Sequence, residues 1–352
     1  MKNRIIPVLL CVLCALFASC KDKNGGIYKP SCAGAPYDVL VVADAPVLSG
    51  VAGKAVIDVL HSEVIGVAQV EPSFTVSKVT SDRLNSTKFC RSIVMVNVSD
   101  IYTEPKMKYS RNVYARDQIV LTLQAPTQES LANFARDNER TIVDFLTRVE
   151  LAREAKFLRE RYNTHVDQTV EKMFGCHICL PVDFAKYKEA KDFFWAATDR
   201  KNDKDMYFVM YTYPYTDPNT FTKEYFVHKR DSVLKENVPG PNAGQYMKTA
   251  EYVRVYDSSL GDEYVFLARG LWNMQNYHMG GPFVSMSRVD VRNNRVIVVE
   301  GFVYAPEHDK RDMIRMMESA LYTLSMPEYN QDGEQEVIEI ELENIDIVEE
   351  SI

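Results

Sequence analysis

The sequence is short of the patterns that announce chemistry. Histidine is scarce, six residues in 352, and none sits in a zinc-protease helix motif. There is no nucleophile elbow and no penicillin-binding signature. These absences remove the catalytic classes that a local pattern reveals, although not a site assembled in space. Past the N-terminal run, no second apolar stretch reaches the ~20 residues a membrane helix needs. No basic patch occurs either, which argues against nucleic acid. The formal net charge is -8, and it is unevenly placed. Ten acidic residues and no Lys or Arg lie between Glu328 and Ile352, while the rest is close to neutral. What is present is an apolar content of 46% and an aromatic content of 11%, as in a folded globule. The length allows one large or two ordinary domains.

The N-terminus has three parts. Lys2 and Arg4 are positive, Ile5 to Phe17 is apolar apart from Pro7, and Ala18-Ser19 are small. That is the layout of a secretory signal, with a run too short to remain as a membrane span. Phe17-Ala18-Ser19-Cys20 resembles the lipobox of bacterial lipoproteins. The resemblance implies a chain cut before Cys20, acylated on its thiol and held to a membrane by lipid. Lys21-Asp22-Lys23-Asn24-Gly25-Gly26 reads as a flexible tether. Lys21 after the cysteine leans the destination toward the outer membrane, by analogy with lipoprotein sorting in enteric bacteria.

Cys11 and Cys14 leave with the signal. Cys32, Cys90, Cys176 and Cys179 remain, an even number that permits disulfides in three pairings; buried thiols are the other reading. Cys176-His177-Ile178-Cys179 has metal-like spacing, but the segment reads as a strand, on which residues three apart face opposite ways. Gly50-Val51-Ala52-Gly53-Lys54-Ala55 approximates a phosphate loop, yet Leu48 and Ala55 replace the required glycine and hydroxyl. A helix start packed closely on a strand is the simpler reading. Tyr207, Tyr211 and Tyr213 share one face of a strand and read as a core face with hydroxyls at its rim. No residue set calls for a metal or cofactor.

Strands are expected at Tyr37 to Ala43, Phe74 to Val79, Ile93 to Val98, Ile119 to Leu123, Cys176 to Val182, Phe193 to Thr198, Met206 to Tyr213, Tyr252 to Tyr256 and Tyr264 to Arg269. A hairpin turning at Asn293-Asn294 joins Phe283 to Val291 with Arg295 to Tyr304. Helices fit Val51 to Leu60, with Val51 on the apolar side, one long helix over Thr127 to Tyr162, Val166 to Phe174 ended by Gly175, Phe221 to Glu236 and Asp309 to Leu324. Ala125-Pro126 and Ala305-Pro306 both mark a strand-to-helix switch, and suggest two related halves. The fold class is α+β, with mixed or antiparallel sheets packed by helices. The expected layout is a signal peptide at 1–19, a lipidated tether at 20–35, a first α+β half at 36–163, a second at 164–327 and an acidic tail at 328–352. Glu336 to Val348 alternates acid with aliphatic residues; a solvated tail is favoured over an edge strand.

Two stretches carry a family resemblance. One is Tyr37 to Asp44 with the Gly50–Gly53 helix start and Glu71-Pro72-Ser73-Phe74. The other is Gly270-Leu271-Trp272, Met279-Gly280-Gly281-Pro282-Phe283, Glu300-Gly301-Phe302-Val303-Tyr304-Ala305-Pro306 and Lys310-Arg311. Together they resemble the domain of unknown function 4837 family of bacteroidete envelope lipoproteins, over about Tyr37 to Leu324. The resemblance implies an envelope setting and no known reaction. Gly280 and Gly281 suit a sharp turn with positive φ, which would place a candidate pocket among Arg269, Trp272, His278, Gly280 and Gly281. The function expected is a non-enzymatic lipoprotein, anchored to membrane lipid through Cys20, that binds a glycan, a lipid-linked molecule or another envelope protein; the alternative is a hydrolase of envelope material.

Overall fold

The computed structural model describes residues 29–199, 204–260, 263–326 and 347–350. The expected signal, Cys20, residues 21–28 of the expected tether and most of the acidic tail lie outside the described residues. Residues 31–33, expected in the tether, instead pair with the first half, where Cys32 N–H donates to Arg116 O at 3.0 Å and Ala33 N–H to Phe89 O at 2.8 Å. Within them the chain builds two sheets. The first half runs β1 (Asp38–Ala43), α1 (Ala45–Ser49), α2 (Val51–Leu60), β2 (Thr75–Thr80), β3 (Ser92–Val98), β4 (Lys106–Arg111), β5 (Ile119–Ala125), α3 (Gln128–Asp137) and α4 (Glu139–Glu160). The second runs α5 (Thr164–Phe174), β6 (Phe184–Ala190), β7 (Phe193–Thr198), β8 (Asp205–Pro214), α6 (Lys223–Asn237), β9 (Met247–Leu260), β10 (Glu263–Met274), β11 (Gly280–Asp290), β12 (Arg295–Tyr304) and α7 (Arg311–Leu321). A last short strand, β13 (Val348–Glu349), returns to the first sheet.

The fold is α+β. The first sheet has the order β13-β4-β5-β3-β1-β2 and is parallel except where β4 meets β5. Its inner strands β1 and β5 are almost wholly apolar, because helices and turns cover both faces, whereas the edge strand β2 carries Thr75, Ser77, Lys78 and Thr80. The second sheet, β6-β7-β8-β12-β11-β10-β9, is antiparallel throughout. The Ala-Pro echo is thus local: the same strand-to-helix switch serves two sheets of different topology.

Several elements differ from the sequence expectation for physical reasons. The helix expected over Thr127 to Tyr162 breaks at Asn138 (φ -107°, ψ 19°), whose side-chain amide donates to Phe134 O at 2.9 Å. On α2 the buried side is Ala52, Ala55, Val56 and Val59, and Val51 is exposed. Cys176 to Val182 is not a strand: only His177 pairs, with Ser325, although Cys176, Ile178 and Leu180 do point into the core. Residues 327–346 lie outside the described part, but at 347–350 the acidic tail takes the edge-strand form. There Tyr109 Oη donates to Glu349 Oε2 at 2.9 Å and Lys108 pairs with Glu350 at 2.8 Å.

The seven-stranded sheet has two unlike faces. One, with Phe193, Val209, Tyr211, Phe266, Trp272 and Phe302, lies under α6. The other, with Val265, Met286, Val299 and Val303, lies under α5 and α7 and turns toward the first half.

Candidate functional site

The two halves are joined by a loop. Between α2 and β2, residues 61–74 leave the first half and reach the second, where Val67 packs on its core and Gly66 lies over Arg269 and Gly270. Glu71 is buried at this junction. Its carboxylate accepts the backbone N–H of Lys310 at 2.9 Å and of Arg311 at 2.7 Å, the first amides of α7. Lys310 at that helix start has no side-chain cap of its own, so Glu71 caps α7 from the other half. Arg315 continues the clasp by donating to Ser73 O at 2.6 Å while its guanidinium stacks on the Tyr37 ring, 4.3 Å away.

Beside the clasp the halves part and leave a cleft of about 1110 Å³. One wall is α4, with Arg140, Val143, Asp144, Thr147 and Arg148. The facing wall is the end of β9 with Arg254, Tyr256 and Leu260. The floor is Arg269 of β10, Arg315 and Glu318 of α7, and Tyr322. Its size is slightly above the usual range of about 300–1,000 Å³ for ligand sites, and junctions between domains are where such sites concentrate.

The floor is electrostatically uneven. Arg269 pairs with Glu318, and Tyr322 Oη is 3.5 Å from the same carboxylate. Burial works to lower the Arg269 pKa; the Glu318 charge overrides it and raises it. Burial, reinforced by Glu318, pushes the Tyr322 hydroxyl well above the usual tyrosine range. Glu318 Oε2 and Thr147 Oγ1 are buried with no hydrogen-bond partner. Above the floor, Asp144 is 3.5 Å from Arg140 and Asp257 accepts from Tyr264 Oη at 2.5 Å. Neither Arg148 nor Arg254 is in an ion pair among the described residues. Among the described residues the cleft lining holds no histidine and no cysteine.

The candidate pocket read from the sequence is split by the sheet. Arg269 belongs to the cleft face. Trp272, three residues along β10, is buried on the opposite face, where its indole donates to Val303 O at 3.2 Å and meets Phe302 edge-on at 5.5 Å. His278 is exposed in the β10–β11 connection. Gly280 and Gly281 open β11 without positive φ. Gly281 is needed instead for closeness, since a Cβ there would stand 2.0 Å from Val303 O.

The other sequence motifs also resolve into packing. A Cβ on Gly53 would meet Leu48 O at 2.5 Å, so the Gly50–Gly53 segment is the tight corner between α1 and α2. Tyr207 and Tyr211 belong to the face under α6, with Tyr207 stacked on Phe302 at 4.8 Å. His177 Nδ1 lies 3.1 Å from Asp167, yet the nearby Cys179 thiol is pushed up to about 11 by burial, a poor nucleophile. Cys32, Cys90 and Cys179 are thiols. No cluster of metal-binding side chains occurs among the described residues.

An α+β protein whose two halves close on a polar cleft is the class these features define. Residues 163–323 match the family described as domain of unknown function DUF4837. Residues 32–159 match a different family, domain of unknown function DUF8532. The resemblance expected to run from Tyr37 to Leu324 is therefore matched over the second half, while the first half matches the other model. No curated protein matches the chain. Among solved structures, the Ran-binding protein Mog1p of Saccharomyces cerevisiae is 7% identical with a TM-score of 0.30, over 44% of this chain and 92% of that one. The lipid transfer and protein localization domain of human StarD13 (DLC2) is 9% identical with a TM-score of 0.20, over 45% and 94%. Both likenesses are too slight to inform the fold or the site.

Proposed function

We propose that this chain is an envelope lipoprotein, tethered to the outer membrane by lipid on Cys20, which binds a ligand in the cleft between its two halves. The cleft carries the reading. It is large, it lies at a domain junction, and it presents Arg148 and Arg254 outside any described ion pair. The lining favours binding over nucleophilic hydrolysis, since the described residues bring no histidine or thiol to it. The anchor rests on the charged start, apolar run, small residues and Cys20 of the sequence.

Two measurements test this. The protein purified from native membranes should carry a ligand detectable by mass spectrometry, and the Arg148→Glu/Arg254→Glu variant should lose it at unchanged melting temperature. Equal cargo on both proteins would place binding elsewhere. Cys20→Ala should abolish metabolic lipid labelling; undiminished labelling would remove the anchor.

A further inference from the structure

The seven-stranded sheet ends in two edges of opposite design. At one end β6 is seven residues long, irregular between Phe184 and Lys186, and carries Lys186 and Lys188. Shortness, irregularity and lysines are the means by which edges are protected from pairing. At the other end β9 is fourteen residues long, and β10 is its only strand neighbour among the described residues.

The start of the β9 edge is covered. Met247 N donates to Val238 O at 3.1 Å and Thr249 N to Asp231 Oδ1 at 2.7 Å. Beyond Thr249 the edge has no strand partner among the described residues, and from Arg254 it runs into the cleft. Asp257, Ser258, Ser259 and Leu260 all line it. Successive strand residues point to opposite faces, so four in a row can share one cavity only where it meets the strand side-on. There the cavity faces main chain, and the group that matches an edge's N–H and C=O row is another extended main chain.

The geometry points to an extended segment of a second protein, adding to β9 as an eighth strand along residues 250–260. This rests on the cleft being the binding site, and specifies its occupant. About ten residues would be engaged, spanning roughly 33 Å. Charge selects the side chains. The cleft acids Asp144, Asp257 and Glu318 already have partners, and the exposed acids Asp58, Glu63 and Glu139 line the facing, first-half wall rather than β9. Arg254 is the cation that β9 itself presents beside the added strand, so that strand carries carboxylates on the face it shares with Arg254.

Amide hydrogen exchange on the full mature protein tests the proposal with three blocked decapeptides at about 1 mM. These are (Val-Glu)5, (Val-Lys)5, and (Val-Glu)5 methylated on every main-chain amide. The first should slow exchange across residues 250–260 by about tenfold, the other two should not, and Arg254→Glu should transfer the effect to (Val-Lys)5. No slowing by (Val-Glu)5, or equal slowing by its methylated form, would overturn strand addition. So would protection of 250–260 in the peptide-free protein that vanishes when residues 327–352 are removed, because the edge would then be covered from within. A native ligand lost on Arg148→Glu/Arg254→Glu while β9 stays unprotected would overturn strand addition and leave the cleft reading intact.

Discussion

Two guanidinium–carboxylate pairs sit on opposite faces of the same sheet. Under α6, Arg230 and Glu300 have fully buried side chains and meet in a two-pronged contact of 2.8 and 2.7 Å. Arg230 also donates to Thr249 at 2.9 Å and stacks on Phe283, 4.0 Å away. On the cleft face, Arg269 keeps 27% of its side-chain exposure beside Glu318, one of whose oxygens has no partner. The first pair is enclosed and nearly saturated; the second borders solvent and has bonding capacity left. Identical chemistry therefore serves cohesion on one face and leaves recognition open on the other.

The largest test separates these two pairs. Glu300→Ala leaves a buried guanidinium without its counter-ion and should cost about 3–5 kcal/mol in denaturant unfolding. Glu318→Ala should cost about 1 kcal/mol, because Arg269 can turn to water; equal losses would erase the distinction. Next is the clasp. Glu71→Ala bares two amides of α7 and should cost about 1–2 kcal/mol, with faster amide exchange in 310–315; unchanged exchange there would show the cap to be dispensable. Removing residues 327–352 should cost about 1 kcal/mol through lost pairing to β4, and no change would mean that β13 adds nothing to the sheet.

The smallest effect is one of pH. Burial acts to raise the Asp290 pKa, but hydrogen bonds from Asn293 and Arg295 prevail and hold it below the usual value. A lowered folded pKa stabilises above the unfolded value, about 3.9, and the contribution is lost as pH falls through the folded value. Asp290→Asn should thus be less stable than the parent at pH 7, by under about 1 kcal/mol, with the gap closing as pH falls below the unfolded value and through the lowered folded one. A gap constant with pH would assign the loss to packing.

The legible elements were those whose side chains report their own surroundings. β1, β5 and β12 are apolar because both faces are covered, and the β11–β12 hairpin was readable at Asn293-Asn294, where Asn294 takes a φ of 48°. β4 and β6 were missed because Lys106-Met107-Lys108 and Lys186-Tyr187-Lys188 lie near the rims of their sheets, where burial imposes no apolar pattern. The cleft could not be read at all. Its walls come from residues 58 to 322, and no local spacing encodes the meeting of α4 with β9. One trace did exist: Glu71-Pro72 and Lys310-Arg311, far apart in the sequence, are the two sides of the clasp.

That clasp bears on inheritance. The two halves match separate families, as if each were a module free to be reassorted. Yet the first turn of α7 obtains its cap from Glu71 in the neighbouring module. A lineage that exchanged one half for a foreign counterpart would begin with a bare helix end, so the pair must travel together or acquire a new capping residue.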